Sequence, residues 1–414
     1  MNPFELKPKK IENSFHNWQT LYPKPYNKED VDPYTKTRII LMNGTEFESV
    51  WYSHQFSRHC GNNDIRRELA TIRRVEQQQQ KRLNALKPKN ENILEHALSY
   101  EQLAVDLTSI LAKRETNPTV KQQLDFALLE DFDHLYRYAD LLEFEKGIKA
   151  ENLIGKYTEI MPGRPTIAEH RHPNDDVNNH INNYLSDPMT KLNVGIIIAA
   201  EQQTMNYYMN SANFYTSDLG RKLFNEIAMI EEQHVTGYGC LIDTSATWLE
   251  GLLLHEYTEC YLYYSCYEDE TDATIKNIFW EMFEEEVVHL HIAAELLEKY
   301  DGKHYLQVIP EPKFPELIKF KENINYVRDV LKNVRLSKDK ENFIDLETLP
   351  MTHDYFNYQK RVNKNENKVT SHMVIDKHIQ KFDKDYRFMV KSHPIKTLDD
   401  RKNDNITIAR VKGE

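Results

Sequence analysis

Between residues 91 and 302 the apolar positions recur at offsets of three, four and seven, the spacing of helices with one buried face. Breaks in this rhythm divide the stretch into six helices. The first runs roughly 91–113 and ends at the Asn117-Pro118 turn; the second runs roughly 119–148. An irregular stretch, about 149–187, holds Pro162-Gly163, Pro165 and Asn-Asp clusters. The third helix starts near Asp187-Pro188, a cap residue followed by proline. The fourth follows Ser217-Asp218 and frays near Gly237 and Gly239. The fifth begins near Thr244-Ser245. The sixth follows an acidic turn at Glu268–Thr271 and stops before Gly302.

Outside this core the pattern changes. Residues 64–86 are rich in Arg, Glu, Gln, Leu and Ala and predict one more helix, with a charged face. It carries no His, so no metal ligand is expected on it. Residues 37–42 and 45–52 are strand formers on either side of Asn43-Gly44, which predicts a β-hairpin. Residues 1–36 read as a Pro-rich arm. After 302 the chain is more polar, with helical patterns near 314–336 and 354–388 and a Lys/Asp/Asn-rich tail. The expected fold is mainly α. Its expected parts are an arm with hairpin (1–62), a helical domain (63–302) and a polar, partly helical extension (303–414).

Polar residues interrupt the apolar stripes at regular places. Three times a Glu stands thirty positions before an acid-x-x-His pair: Glu101 before Asp131/His134, Glu201 before Glu231/His234, and Glu256 before Glu286/His289. One helical turn separates each acid from its His, so both lie on one face. Tyr208 and Tyr263 stand seven residues after Glu201 and Glu256. Tyr138 and Tyr238 stand four after His134 and His234. Chance alone gives about three acid-x-x-His pairs in a chain with this composition. Two further pairs, Glu169/His172 and Asp301/His304, have no acid thirty residues upstream. The first lies beside Pro165 and Pro173, where a continuous helix is not expected. A carboxylate on an apolar stripe is costly unless paired or bound to metal. A buried Glu–His or Glu–Tyr network is the plain alternative for one unit, and identical spacing in three argues against it.

Composition narrows the classes. The 414 residues carry a formal net charge of -12, against a nucleic-acid role. No run approaches a membrane-spanning length, and the start lacks a secretory apolar segment. Cys60, Cys240, Cys260 and Cys266 are too few for a disulfide scaffold, and Cys-x-x-Cys is absent. A cytoplasmic protein is the default expectation. His353, His372, His378 and His393 lack partners at ligand spacing and read as surface residues.

Glu on one helix, acid-x-x-His on the next, a long crossover and then the same again resembles the ferritin-like superfamily, especially its rubrerythrin and bacterioferritin branch. The resemblance covers about 91–240, with a third hairpin extending it to about 300. It implies a four-helix bundle extended by a third hairpin, and a di-metal site of Glu101, Asp131, His134, Glu201, Glu231 and His234. Asp131 departs from the usual Glu. Each complete site would hold two iron ions, with manganese as the alternative and zinc admitted on affinity grounds. Two hairpins around such a site are inverted relative to each other, which needs a connection as long as the bundle. The stretch 149–187 supplies it and favours pairing the first two units, whereas the similarity of the second and third favours pairing those. On the first pairing Glu256, Glu286 and His289 lack a partner. They either meet their copy across a homodimer two-fold or form a polar core network.

The implied chemistry is oxidation with dioxygen or peroxide. Alternatives are a non-enzymatic metal-storage or structural protein, and a monooxygenase acting on an organic substrate beside an apolar cavity. With no rubredoxin-like module, electrons would come from an external donor. Tyr208 and Tyr263 are candidates to relay electrons or bond a ligand carboxylate, although packed core aromatics are the plainer reading. Cys260 reads as a small buried hydrophobe, and Glu169, His170 and His172 as crossover residues able to cap the site.

Overall fold

The computed structural model describes residues 1–396 except 156, 165, 366, 367 and 384. The charged tail from 397 on and Pro165 lie outside the described residues. In chain order the helices are α1 (Thr35–His59), α2 (Asn63–Ala85), α3 (Ile93–Arg114), α4 (Pro118–Lys146), the short α5 (Glu151–Ile154) and α6 (Thr166–Glu169), α7 (Pro188–Phe214), α8 (Asp218–Gly239), α9 (Trp248–Asp269), α10 (Ala273–Asp301), α11 (Ile324–Val330), α12 (Asp354–Asn363), α13 (Thr370–Phe382) and α14 (Arg387–Val390). Two short strands, β1 (Leu336–Asp339) and β2 (Asn342–Asp345), pair antiparallel with Leu336 opposite Asp345.

The chain divides into two compact units. Unit 1 takes Met1–Glu91, His180–Gln203 and Ile242–Phe320; unit 2 takes Asn92–Asn179, Thr204–Leu241 and the chain from Lys321 on. The divide falls within α7.

In unit 1, α1 pairs with α2 and α9 with α10, and contacts α1–α9 and α2–α10 close the four into a bundle. The caps explain where these helices begin. Asn62 accepts from Asp64 N, Thr247 forms a capping box with Glu250, and Asp272 accepts from Thr274 N and Ile275 N. Gly302 closes α10 at φ 66°, a left-handed position that glycine adopts without strain.

The expected N-terminal β-hairpin is not there; residues 37–52 lie inside α1, and the described β-hairpin is at 336–345. Asn43-Gly44 serves close packing, not a turn. A Cβ on Gly44 would come within 2.9 Å of both Ala199 O and Gln203 Oε1. Burial on α1 follows Met42, Glu46, Ser49, Ser53 and Phe56, a three–four helical rhythm that outweighs the local strand preference.

In unit 2, α3 pairs with α4, and α8 and α13 pack on α4. Asn92 forms a capping box with Glu95; Asn117 caps α4 ahead of Pro118; Ser217 caps α8. The C-terminal segments are part of this core. Three of the histidines expected at the surface are buried: His372, His378 and His393. His378 Nε2 lies 2.6 Å from Glu143 Oε2 of α4, and His393 Nε2 lies 2.5 Å from Pro162 O. Amphipathic helices with little apolar content hid this docking. Among the described residues no helix is long and apolar enough to cross a membrane, and all four cysteines are free.

Candidate metal centres

In unit 2, α3 supplies Glu101, α4 supplies Asp131 and His134, and α8 supplies Glu231 and His234, all at most 1% exposed. Glu231 lies between the two imidazoles. Its Oε1 is 3.0 Å from His134 Nδ1 and its Oε2 3.2 Å from His234 Nδ1. Asp131 Oδ1 is also 3.2 Å from His234 Nδ1. Ligand atoms of Glu101, His134 and Glu231 lie within 4.8 Å of one another, as do those of Asp131, Glu231 and His234. Tyr208 donates to Glu101 Oε1 at 2.5 Å.

The outer ring nitrogens are also engaged. His134 Nε2 lies 3.1 Å from Glu169 Oε2, on the short α6 of the crossover. His234 Nε2 lies 2.8 Å from Glu130 Oε2, whose other oxygen accepts from Arg171. A second carboxylate behind each ring fixes its orientation and turns Nδ1 inward. Glu130 was not legible from the unit spacing, because it lies one residue before the expected acid. Of the crossover residues, Glu169 reaches the cluster, while His170 pairs with Asn363 and His172 caps Pro173–Asp176.

A second cluster lies wholly within unit 1. His289 Nδ1 is 2.9 Å from Glu76 Oε1, 3.0 Å from Glu286 Oε2 and 3.8 Å from Glu256 Oε2. Ligand atoms of these four residues lie within 4.8 Å of one another, and a further set joins Glu46, Glu76 and Glu259. Gln79 donates to Glu286 Oε1 at 2.5 Å, and Tyr263 donates to Glu46. All these side chains are buried. The expected lone third unit therefore has its counterpart in α1 and α2, and the cluster needs no second copy of the chain.

The two clusters correspond residue by residue at one sequence offset, fifty-five positions. Glu46, Glu76 and Gln79 correspond to Glu101, Asp131 and His134. Glu201, Tyr208, Glu231 and His234 correspond to Glu256, Tyr263, Glu286 and His289. Glu46 precedes Glu76 by the same thirty positions as in the other units. That signal was in the sequence; Gln79 in the histidine place and the strand-like look of α1 concealed it. Glu201 is buried at 1% exposure on the part of α7 that belongs to unit 1; the residues expected around it belong to unit 2.

No family model, curated protein or solved structure matches the chain.

Burial and crowding of like charges push several carboxyls far up. Glu101 is raised well above the usual carboxylate range by burial and by Glu231 nearby, and Glu46 by burial, Glu76 and Glu286. Glu256 and Glu259 are raised by burial and by Glu76. Burial acts the same way on Glu231, but hydrogen bonds to His134 and His234 win and hold it at about 2. Burial lowers the three imidazoles His134, His234 and His289, yet their carboxylate neighbours outweigh it and leave each well above the ordinary value. Glu169, buried against His134, sits at about 8.

The residues fit a bound divalent cation pair. Both oxygens of Glu256 and of Glu259 are buried without a hydrogen-bond partner. In unit 1 five buried carboxyls surround His289, whose imidazole they raise, while burial drives neighbouring His255 down to about 4. No Lys or Arg pairs with these five among the described residues. Oxygen-rich donors with one imidazole suit iron or manganese. Cys260 is fully buried with its thiol pushed up, a packing residue in place of a thiolate ligand.

Proposed function

We propose that the chain is a ferritin-like di-metal carboxylate protein, an oxidoreductase that holds iron or manganese and acts on dioxygen or peroxide. The observation that carries this reading is Glu231, which presents one oxygen to each of two imidazoles at 3.0 and 3.2 Å. A carboxylate so placed would hold a cation beside each imidazole. Such a pair, when bound, supplies two electrons to the oxidant. The chain does the rest. Glu101, Asp131, His134, Glu231 and His234 would hold the cations, and the three carboxylates would balance their charge. Glu130 and Glu169 orient the imidazoles. Tyr208 holds Glu101 in place, and full burial keeps bulk water away. Reducing equivalents come from an external donor.

One observation favours an organic substrate as a second reading. A cavity of about 120 Å³ in unit 1 is lined by Glu48, Tyr52, Ile198, Leu254, His255 and Thr258. His255 stands between it and the unit 1 cluster, with Nε2 3.6 Å from Glu259 Oε1.

The test is anaerobic loading with Fe(II), elemental analysis, and then steady-state peroxide consumption with a chemical reductant. Stoichiometric iron with sustained turnover, abolished in Glu231→Ala, is expected. Stoichiometric iron without turnover would leave a storage or structural protein and end the enzyme reading.

A further inference from the structure

The two clusters differ in their donors at equivalent places. His134 in unit 2 corresponds to Gln79 in unit 1, and both sit against the same oxygen of the equivalent carboxylate, Glu231 Oε1 and Glu286 Oε1. An amide donates there through nitrogen and leaves no imidazole for a cation. Unit 1 adds an acid at Glu259, on α9, where the equivalent position on α7 is Thr204. The ligand set that contains His134 in unit 2 is Glu101, His134 and Glu231; in unit 1 the set around Glu46, the equivalent of Glu101, is Glu46, Glu76 and Glu259, all carboxylates. Both oxygens of Glu259 are 0% exposed with no hydrogen-bond partner, so this is a donor aimed into the cluster and not a solvated acid.

We propose that the Glu46–Glu76–Glu259 set is an all-oxygen position for a hard divalent cation, manganese(II) or magnesium(II), so that the two centres of one chain hold different metals. This rests on the di-metal reading above. Carboxylate-only sets suit Mn(II) and Mg(II), whereas imidazole draws iron and zinc. His289 leaves the neighbouring position of the same cluster with one nitrogen donor. Unit 1 would then hold a hard cation beside a borderline one, and unit 2 two of the borderline kind.

The full chain is stripped of metal, loaded anaerobically with zinc to about three per chain, and titrated with Mn(II). Bound metals are counted by elemental analysis and bound Mn(II) by electron paramagnetic resonance. The expectation is about one Mn(II) retained per chain beside the zinc. In the double variant Gln79→His with Glu259→Thr, which copies the unit 2 residues, Mn(II) retention should fall at least tenfold while zinc rises toward four. Gln79→His alone, a gentler change, should weaken Mn(II) retention in the same direction. Zinc filling every position and excluding Mn(II) from the unaltered protein would overturn the inequality and leave the di-metal reading standing. Equal Mn(II) retention in the unaltered chain and both folded variants would also overturn it. Failure to retain any metal would overturn the di-metal reading itself.

Discussion

Tyr208 and Tyr263 donate to Glu101 and Glu46, in each case inside a buried cluster. Each acceptor is a carboxyl that burial raises well above its ordinary range. The phenol hydroxyl orients one oxygen of the carboxyl in either protonation state. Tyr208→Phe or Tyr263→Phe should each cost about 1–2 kcal/mol of metal-free stability, the price of one buried partner lost, measured by denaturant unfolding. Metal stoichiometry should stay unchanged. Loss of bound metal in either variant would make the phenol a ligand instead of a positioning residue. Glu231 behaves differently: its two imidazoles hold it at about 2. Truncating it removes the carboxylate that His134 and His234 share, which in a buried pair costs about 3–5 kcal/mol.

Three of the four hairpins that carry the buried acids were legible from spacing alone, because thirty residues and a one-turn acid–His step are what a helical hairpin needs to bring these side chains level. α1 was not. Thr, Ile, Val, Trp and Tyr around Asn43-Gly44 satisfy the local rules for a β-hairpin, and only contacts distant in sequence decide otherwise. Gly44 is where that decision can be read, since a methyl group there meets the Ala199 carbonyl oxygen at 2.9 Å. Gly44→Ala gains up to about 1 kcal/mol of helix propensity. It should nevertheless destabilise the protein by about 1–3 kcal/mol, the usual cost of overpacking. A more stable Gly44→Ala protein would show that the close approach to α7 is not needed. The same limit hid α13: its buried His378 and His372 look like surface residues until the helix docks on α4 and α8.

Each unit encloses its own group of buried acids, which makes the whole molecule sensitive to pH in a calculable direction. Glu46, Glu101, Glu256 and Glu259 keep protons in the fold that the unfolded chain releases near pH 4.5. The raised imidazoles keep theirs above pH 6.5. In both cases the folded state binds more protons, so metal-free stability should fall as pH rises from about 5 to 9. Cations displace those protons, so binding should tighten and the gain in Tm on loading should grow over the same range. Thermal unfolding with and without Mn(II) at several pH values checks both slopes. A metal-free protein that gains stability toward pH 9 would refute the protonation pattern.

Both centres should be complete within a single chain. Elemental analysis of the full-length protein, loaded anaerobically with Fe(II) and then Mn(II) and freed of excess, decides this when set beside Glu231→Ala and Glu286→Ala. The prediction is about four metal ions per chain in the unaltered protein and about two in each variant. Two per chain in the unaltered protein, unaffected by Glu286→Ala, would reduce the unit 1 cluster to a polar core, and no stoichiometric metal would contradict both centres.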